Sequence, residues 1–165
     1  MKQKKCKIAD ISIRGRMGYA ITCFEATIIF YKAQTPQIDK LISLLWDYTL
    51  STRFDLWERE FIRIVPEYAN DFKVCFDLQF LECDISNFIF SILEEVYEVA
   101  TGNLYGGYLS IYTETPLIRI IEKLESRNIA LHAIYPFAIS KASEEHGWGS
   151  PIAKSAFLTE HQSCL

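Results

Sequence analysis

The sequence has few cysteines and histidines, and none stands at the close, paired spacing that marks a disulfide framework or a zinc site. The five cysteines form no CxxC pair and are Cys6, Cys23, Cys75, Cys83 and Cys164. The three histidines stand singly and are His132, His146 and His161. We therefore expect free thiols in a reducing compartment, no metal site and no cofactor.

Signals for secretion and for membrane insertion are also missing. The N-terminal lysines are not followed by the apolar stretch that a secretory signal needs. The longest apolar segment, residues 17–33, is interrupted by Thr22, Glu25 and Thr27, whereas a membrane span needs about 20 mostly apolar residues. We interpret this segment as a buried core helix in a cytoplasmic protein that does not contact a membrane.

Motifs of known enzyme classes are scarce. No GxSxG elbow occurs, and the stretch GNLYGGY at residues 102–108 matches neither a dinucleotide-binding nor a P-loop pattern. His146 and Ser150 form the nearest nucleophile–base combination, and such neighbours often arise by chance. We expect a protein that is not an enzyme. The enzymatic alternative would require Glu25 and the His146 loop to converge on one pocket.

Charge is unevenly distributed along the chain. Residues 1–16 carry six Lys and Arg against one Asp, and we interpret them as a basic N-terminal arm. Residues 39–98 carry thirteen Asp and Glu against five Lys and Arg, a net charge of −8. An acidic body repels nucleic acid and favours a basic partner, so we expect no direct nucleic-acid binding.

Helical spacing of apolar residues dominates the rest of the chain. Two segments begin with a Thr-Pro pair, at Thr35 and at Thr115, which is typical of a capped helix start. Three more helices are predicted over 17–33, 54–65 and 84–100 from their apolar stripes.

One segment, FKVCFDLQF at residues 72–80, fits both a strand and a helix. Its apolar residues alternate, but Phe72, Phe76 and Phe80 also share a helical face. We predict a helix for 71–82, because both neighbouring segments are helical. The whole pattern predicts an all-α protein, with residues 1–165 forming a single compact helical bundle of five to seven helices and irregular termini.

A charged residue stands inside the most apolar predicted helix. Glu25 is flanked by Phe24 and Ala26, and an unpaired carboxylate in such surroundings would be costly. We expect a buried ion pair, with Arg14, Arg16 or Arg53 as the partner.

Several stretches, taken in order, resemble a known group of proteins. They read MGYAITCFE, LLWDYT, DLWERE, VPEY, VYEVATGNLYGG, PLIRIIEKLESRNIAL, YPFAIS and HGWGSPI. This order is similar to that of small all-α bacterial immunity proteins from polymorphic toxin and contact-dependent growth inhibition systems. The resemblance implies a cytoplasmic protein without catalysis that binds one cognate toxin C-terminal domain and covers its active site. Many such toxins are nucleases. The motif glycines, Gly102, Gly106, Gly107, Gly147 and Gly149, are carried over only as turns.

Candidate contact residues follow from charge and aromatic character. Acidic residues near helix ends and aromatic anchors make up the predicted partner-binding set, which is Asp47, Tyr48, Asp55, Glu58, Glu60, Tyr105 and Trp148. Trp57 is left out, because its helical spacing predicts core placement. The alternative function is a non-catalytic helical regulatory or scaffold module that binds another partner.

Overall fold

The most apolar stretch of the sequence forms a central helix, α1 (Ile13–Phe30), in the computed structural model, which describes residues 7–105 and 108–158. Every residue from 11 to 24 is buried. A helix that is apolar all round has to be covered on all sides, and α1 packs against the second, fifth and sixth helices of the chain.

The described residues contain seven α-helices, three short 3₁₀ helices and no β-strand. After α1, the α-helices are Pro36–Leu50 (α2), Phe54–Ile64 (α3), Ala69–Cys75 (α4), Cys83–Thr101 (α5), Ile111–Ser126 (α6) and Lys154–Leu158 (α7). The 3₁₀ helices are Ile8–Asp10, Tyr135–Ile139 and Glu145–Gly147. The all-α prediction is confirmed. Gly106, Gly107, Cys6, His161 and Cys164 lie outside the described residues.

Helix caps explain where two of the helices begin. The Thr35 hydroxyl accepts a hydrogen bond from the Ile38 amide at 3.2 Å, and Pro36 occupies the first helical position of α2, as predicted. Ser12 caps α1 by accepting from the Gly15 amide at 3.1 Å. Because this cap lies ahead of residue 17, α1 begins four residues earlier than predicted.

The predicted basic arm over residues 1–16 therefore extends too far, because residues 13–16 belong to α1. Arg14 and Arg16 lie in the first turns of α1 and are buried. Their guanidinium groups bond to backbone carbonyls and hydroxyls of other segments, among them Gly149 and Ser110. The sequence pattern could not show these acceptors, since they lie far along the chain.

The second Thr-Pro start is also displaced. Helix α6 begins at Ile111 rather than at Thr115, and Pro116 lies inside it. Proline cannot donate to the carbonyl four residues earlier, which here belongs to Tyr112. Gly102, which caps the C-terminal end of α5, lies close to that carbonyl, so that a Cβ at this position would stand 2.7 Å from the oxygen. The glycine is therefore needed for close packing of α5 on α6.

Residues 71–82 are helical in their first part, as predicted, and irregular after Cys75. Phe72 and Phe76 are buried, with ring centroids 4.6 Å apart, while Val74 and Phe80 are exposed. The i, i+4 spacing decides burial in α4, and the apparent strand alternation does not.

An irregular C-terminal segment lies across the start of α1. The Ser12 amide donates to the Ser140 carbonyl at 2.9 Å, and Ile11 forms an isolated antiparallel bridge with Lys141. Gly15 permits this contact, because a Cβ there would stand 2.5 Å from Ile11 Cγ2 and 2.7 Å from the Phe137 carbonyl oxygen.

Gly15→Ala is expected to lower the free energy of unfolding by about 1–3 kcal/mol, because a new methyl group would overlap atoms that are already packed. In an unobstructed helix the same change stabilises by about 0.5–1 kcal/mol. Urea denaturation measures the difference. The control, Ser43→Ala on the exposed face of α2, should change stability by less than about 0.5 kcal/mol. A stabilised Gly15→Ala variant would show that the C-terminal segment does not press on α1.

Candidate functional site

An open groove of about 640 Å³ lies between the C-terminal half of α3 and the middle of α5. Most of its lining is apolar, from Phe61, Ile62, Val65, Pro66, Phe90, Leu93 and Tyr97. A groove of this size and character is typical of a site that binds a ligand or a partner side chain. We define these residues and the acidic residues at its edge as the α3–α5 groove.

The groove exists because α3 buries only a narrow face. Trp57 and Phe61 are its buried residues, and the Trp57 indole donates to the Leu44 carbonyl at 2.7 Å. Ile62 follows one residue later on the helix and is 61% exposed. Pro66 cannot continue the helix, so the chain turns away and leaves this apolar edge open.

Stacked aromatic rings connect the two helices at the groove. The ring centroids of Trp57 and Phe61 lie 5.4 Å apart, and those of Phe61 and Tyr97 lie 4.7 Å apart with an interplanar angle of 18°. Such stacks add to the stabilisation that burial alone provides. They hold Tyr97 of α5 in a fixed orientation at the groove.

The edge of the groove is acidic. Glu67, Glu94 and Glu98 belong to its lining, and no lysine or arginine is among the described residues that line it. Glu98 pairs with Arg119 of α6, which also bonds to Glu95. Glu67 and Glu94 are exposed and have no ion pair within the described part of the chain. The groove therefore presents negative charge around an apolar floor.

Two tyrosines bond to one carboxylate beside the groove. The Tyr97 hydroxyl donates to Glu58 Oε1 at 2.8 Å, and the Tyr105 hydroxyl donates to Glu58 Oε2. Burial, together with the hydrogen bond to Glu58, raises the pKa of Tyr97 to about 12. The pKa of Tyr105 is raised mainly by its hydrogen bond to Glu58. Tyr105 is 83% exposed and so offers an aromatic face to a partner.

Of the predicted contact residues, Glu58 and Tyr105 are thus hydrogen-bonded to each other, Asp55 lies about one helical turn before Glu58 on α3, and the others are dispersed. Asp55 is exposed at the start of α3 and pairs with Arg53 at 2.8 Å. Glu60 pairs with Arg63 at 2.8 Å and lines a different, smaller groove against α2 and α4. Asp47 is exposed on α2. Trp148 is half-buried and stacks on Phe54, with ring centroids 4.8 Å apart.

The prediction that Tyr48 is a surface anchor is wrong. Its side chain is fully buried, and its hydroxyl donates to the Ala100 carbonyl at 2.7 Å. Tyr48 faces inward because it continues the apolar stripe of α2 that contains Leu41 and Leu45. Trp57, by contrast, lies in the core as predicted.

Sequence reasoning missed the groove residues Ile62, Tyr97, Glu67 and Glu94. A signal was present for two of them. Ile62 lies next to the Trp57–Phe61 stripe rather than on it, and Glu94 lies off the stripe of α5. Whether Ile62 and Glu94 line the same groove depends on how α3 packs against α5, and the apolar stripes do not show this.

Glu25 is paired, but with a different cation from those predicted, and the pair is partly exposed rather than buried. Its Oε1 accepts from Lys154 Nζ at 2.6 Å and from the Trp46 indole at 3.3 Å. The predicted arginines do not bond to it, because Arg14 and Arg16 point to backbone carbonyls and Arg53 pairs with Asp55.

The enzymatic alternative required Glu25 and His146 to converge. His146 lines a pocket that also contains Arg14. Glu25 lies eleven residues beyond Arg14 in the same helix, which corresponds to about 16 Å along its axis. The two residues therefore do not share a pocket.

No group of three or more His, Cys, Asp or Glu side chains within the described ranges is arranged to hold a metal ion. Among the same residues, no helix has the length and apolar character needed to cross a membrane. Comparison with known proteins found no matching family model, no similar curated protein and no similar solved structure.

Glu58→Gln is expected to lower the pKa of Tyr97 from about 12 while leaving it above the ordinary value, because burial remains and only the carboxylate is removed. The folded-state pKa of Tyr97 lies above the unfolded value of 10, so protonated Tyr97 stabilises the fold below pH 10. This contribution is lost as the pH rises through about 12. NMR titration of the tyrosine ring resonances measures the shift.

Glu60→Gln is the matched control for this titration, since Glu60 lies on the same helix and pairs with Arg63. It should leave the Tyr97 titration unchanged. An unchanged Tyr97 pKa in folded Glu58→Gln would contradict the described hydrogen bond.

Proposed function

We propose that this protein is an immunity protein that binds and neutralises a cognate bacterial toxin domain, most simply a nuclease, by covering its active site. The resemblance of the sequence to such proteins motivates the proposal. The α3–α5 groove is the structural observation that supports it best, since an apolar floor inside an acidic edge suits a basic protein partner. Such a protein acts in the cytoplasm of the cell that it protects.

Charge complementarity is the first part of the argument. A nuclease binds a polyanion, so its active-site cleft is basic. Glu67 and Glu94 have no ion pair among the described residues, and they extend the acidic surface that begins with Asp55 and Glu58. Opposite charges across an interface increase the association rate and exclude wrong partners. The acidic edge of the groove therefore favours a partner that has a basic, nucleic-acid-binding cleft.

Apolar anchoring is the second part. Protein interfaces obtain most of their affinity from a few desolvated side chains, with aromatic residues prominent among them. Ile62 and Tyr105 are strongly exposed. Ile62 lines the groove, and Tyr105 is hydrogen-bonded to Glu58 beside it. Both would be covered by a partner that fills the groove.

Co-expression tests the proposal most simply. The chain is expressed together with the toxin C-terminal domain encoded beside its gene, and survival is compared with that of cells that express the toxin domain alone. Survival and a stable complex are expected. Cell death at equal expression of both proteins, with no complex on size-exclusion chromatography, would contradict the proposal.

Charge reversal tests the acidic edge. Glu67→Lys with Glu94→Lys is expected to slow association with the toxin domain by about tenfold or more at low salt, because attraction becomes repulsion. The matched control is Glu122→Lys with Glu125→Lys, two exposed positions on α6. Stopped-flow or surface plasmon resonance measures the rate. Equal slowing by both pairs would assign the effect to net charge rather than to the groove.

Ile62→Asp tests the apolar floor. Because Ile62 is 61% exposed, stability should change by less than about 0.5 kcal/mol, while the dissociation constant should rise about thirtyfold or more. Ile118→Asp on α6, where the isoleucine is also exposed, is the control and should bind normally. Wild-type affinity of Ile62→Asp would place the interface elsewhere.

A further inference from the structure

A second pocket, of about 610 Å³, opens at the N-terminal end of α1. The loop of residues 145–151 forms one side, and Thr52 and Phe54 form the other. Arg14, His146 and Trp148 also line it. This pocket shares no lining residue with the α3–α5 groove, so a ligand bound here is independent of the proposed function.

Arg14 is a buried cation whose hydrogen-bond partners are all neutral. It is 5% exposed, its Nε donates to the Gly149 carbonyl at 2.9 Å, and its Nη1 donates to the Ser51 carbonyl at 2.8 Å. Two further carbonyls, of Tyr48 and Thr49, also accept from Nη1. Burial lowers the pKa of this guanidinium, and the negative charge of nearby Glu145 opposes that shift. Within the described part of the chain, Nη2 has no acceptor and no carboxylate pairs with Arg14.

Glu145 attracts the Arg14 guanidinium but makes no hydrogen bond or ion pair with it among the described residues. Burying a charge is costly unless an opposite charge and hydrogen bonds compensate it. The carbonyls satisfy Nε and Nη1 and hold the group in place, which leaves Nη2 for an acceptor from outside. Arginine binds carboxylates well because its donors are planar and fixed in direction.

The surroundings of Arg14 favour an anion with an apolar body. The N-terminus of α1 carries partial positive charge, and the Arg14 amide donates to the Trp148 carbonyl at 3.2 Å. The guanidinium lies 4.8 Å from the Phe54 ring centroid, and Trp148 stacks on that ring. These rings are apolar walls beside a positive centre.

The pocket loop has a defined backbone shape. Glu145 and His146 have positive φ angles of 46° and 54°, and they are followed by Gly147 and Gly149 at 96° and 77°. Non-glycine residues adopt this conformation only where the surroundings enforce it. Here the Arg14 bond to the Gly149 carbonyl and the stack of Trp148 on Phe54 hold the loop in place at the pocket.

We propose that this pocket binds a single carboxylate attached to an apolar or aromatic body, with Arg14 Nη2 as the donor and Phe54 and Trp148 as the walls. A monoanion is favoured over phosphate, because Glu145 lines the same pocket and repels a dianion more strongly. The carboxylate belongs either to a small organic acid or to the C-terminus of a polypeptide.

Titration of the full chain with benzoate tests this assignment, with the Trp148 indole N–H resonance as the readout. Benzoate should give saturable shifts, and the neutral isostere benzamide should bind about tenfold more weakly or not at all. Inorganic phosphate should also bind more weakly than benzoate. Equal binding of benzoate and benzamide, or tighter binding of phosphate, would overturn the proposal.

Two loop variants separate the pocket from general charge effects. Glu145→Gln should tighten benzoate binding about threefold to tenfold, because it removes the one acidic side chain of the pocket lining. Glu144→Gln, one residue before the loop and outside that lining, should change binding less than about twofold. Equal effects of the two variants would overturn the proposal. Neither variant replaces Arg14, so the test does not depend on whether an Arg14 variant folds.

A last comparison identifies the source of the carboxylate. A short acetylated peptide that ends in a free phenylalanine carboxylate is compared with the same peptide as its C-terminal amide. Tighter binding of the free acid than of benzoate supports a polypeptide C-terminus as the ligand. Binding of benzoate without binding of the peptide acid supports a small organic acid. Failure of both acids overturns the proposal.

Discussion

Two guanidinium groups buried at the start of the central helix connect the irregular parts of this protein to its helical frame. Arg16 has a side-chain exposure of 0%. It donates to the carbonyls of Ile8 and Ala9, to the Ser110 carbonyl and to the hydroxyls of Ser110 and Thr113. Glu114 lies 3.5 Å away and supplies the opposite charge. Arg14 makes the corresponding contacts with the segments around Ser51 and Gly149.

Burial of these groups is costly, and the carbonyls that surround them offset the cost only if they stay in place. Each arginine therefore orders the chain segments that supply its acceptors. Arg16 orders the first 3₁₀ helix and the start of α6, and Arg14 orders the α2–α3 connection and the loop of Trp148. In this way α3 receives a fixed start at Phe54, and its far end forms one wall of the α3–α5 groove. A preformed groove loses little conformational entropy when a partner binds.

Periodicity was sufficient to predict the all-α fold, because the apolar stripes of α2, α3, α5 and α6 are long and regular. The Thr35 cap was predictable for the same reason, since its partners are local. The roles of Arg14 and Arg16 were not, because a basic residue that follows several lysines resembles a solvated arm. Their acceptors are backbone carbonyls up to 135 residues away, and carbonyls carry no sequence signal.

The candidate site was predicted in part for a related reason. Asp55, Glu58 and Tyr105 are polar or aromatic residues near helix ends, and such residues can be recognised as candidates from the sequence alone. Tyr48 was misassigned because its hydroxyl finds a buried partner in the Ala100 carbonyl, which only packing reveals. The groove itself arises between two helices that are separated in sequence, so neither stripe alone could indicate it.

The ordering role of the buried guanidinium can be measured by native-state hydrogen exchange in Arg16→Met, which keeps an apolar side chain but removes every donor. Exchange should accelerate selectively at the Asp10 and Ile11 amides and at those of Thr113 and Glu114, which lie in the segments that Arg16 joins. Amides in the middle of α5 should keep their protection. Unchanged protection at these four amides, or equal loss of protection throughout the chain, would contradict the organising role of Arg16.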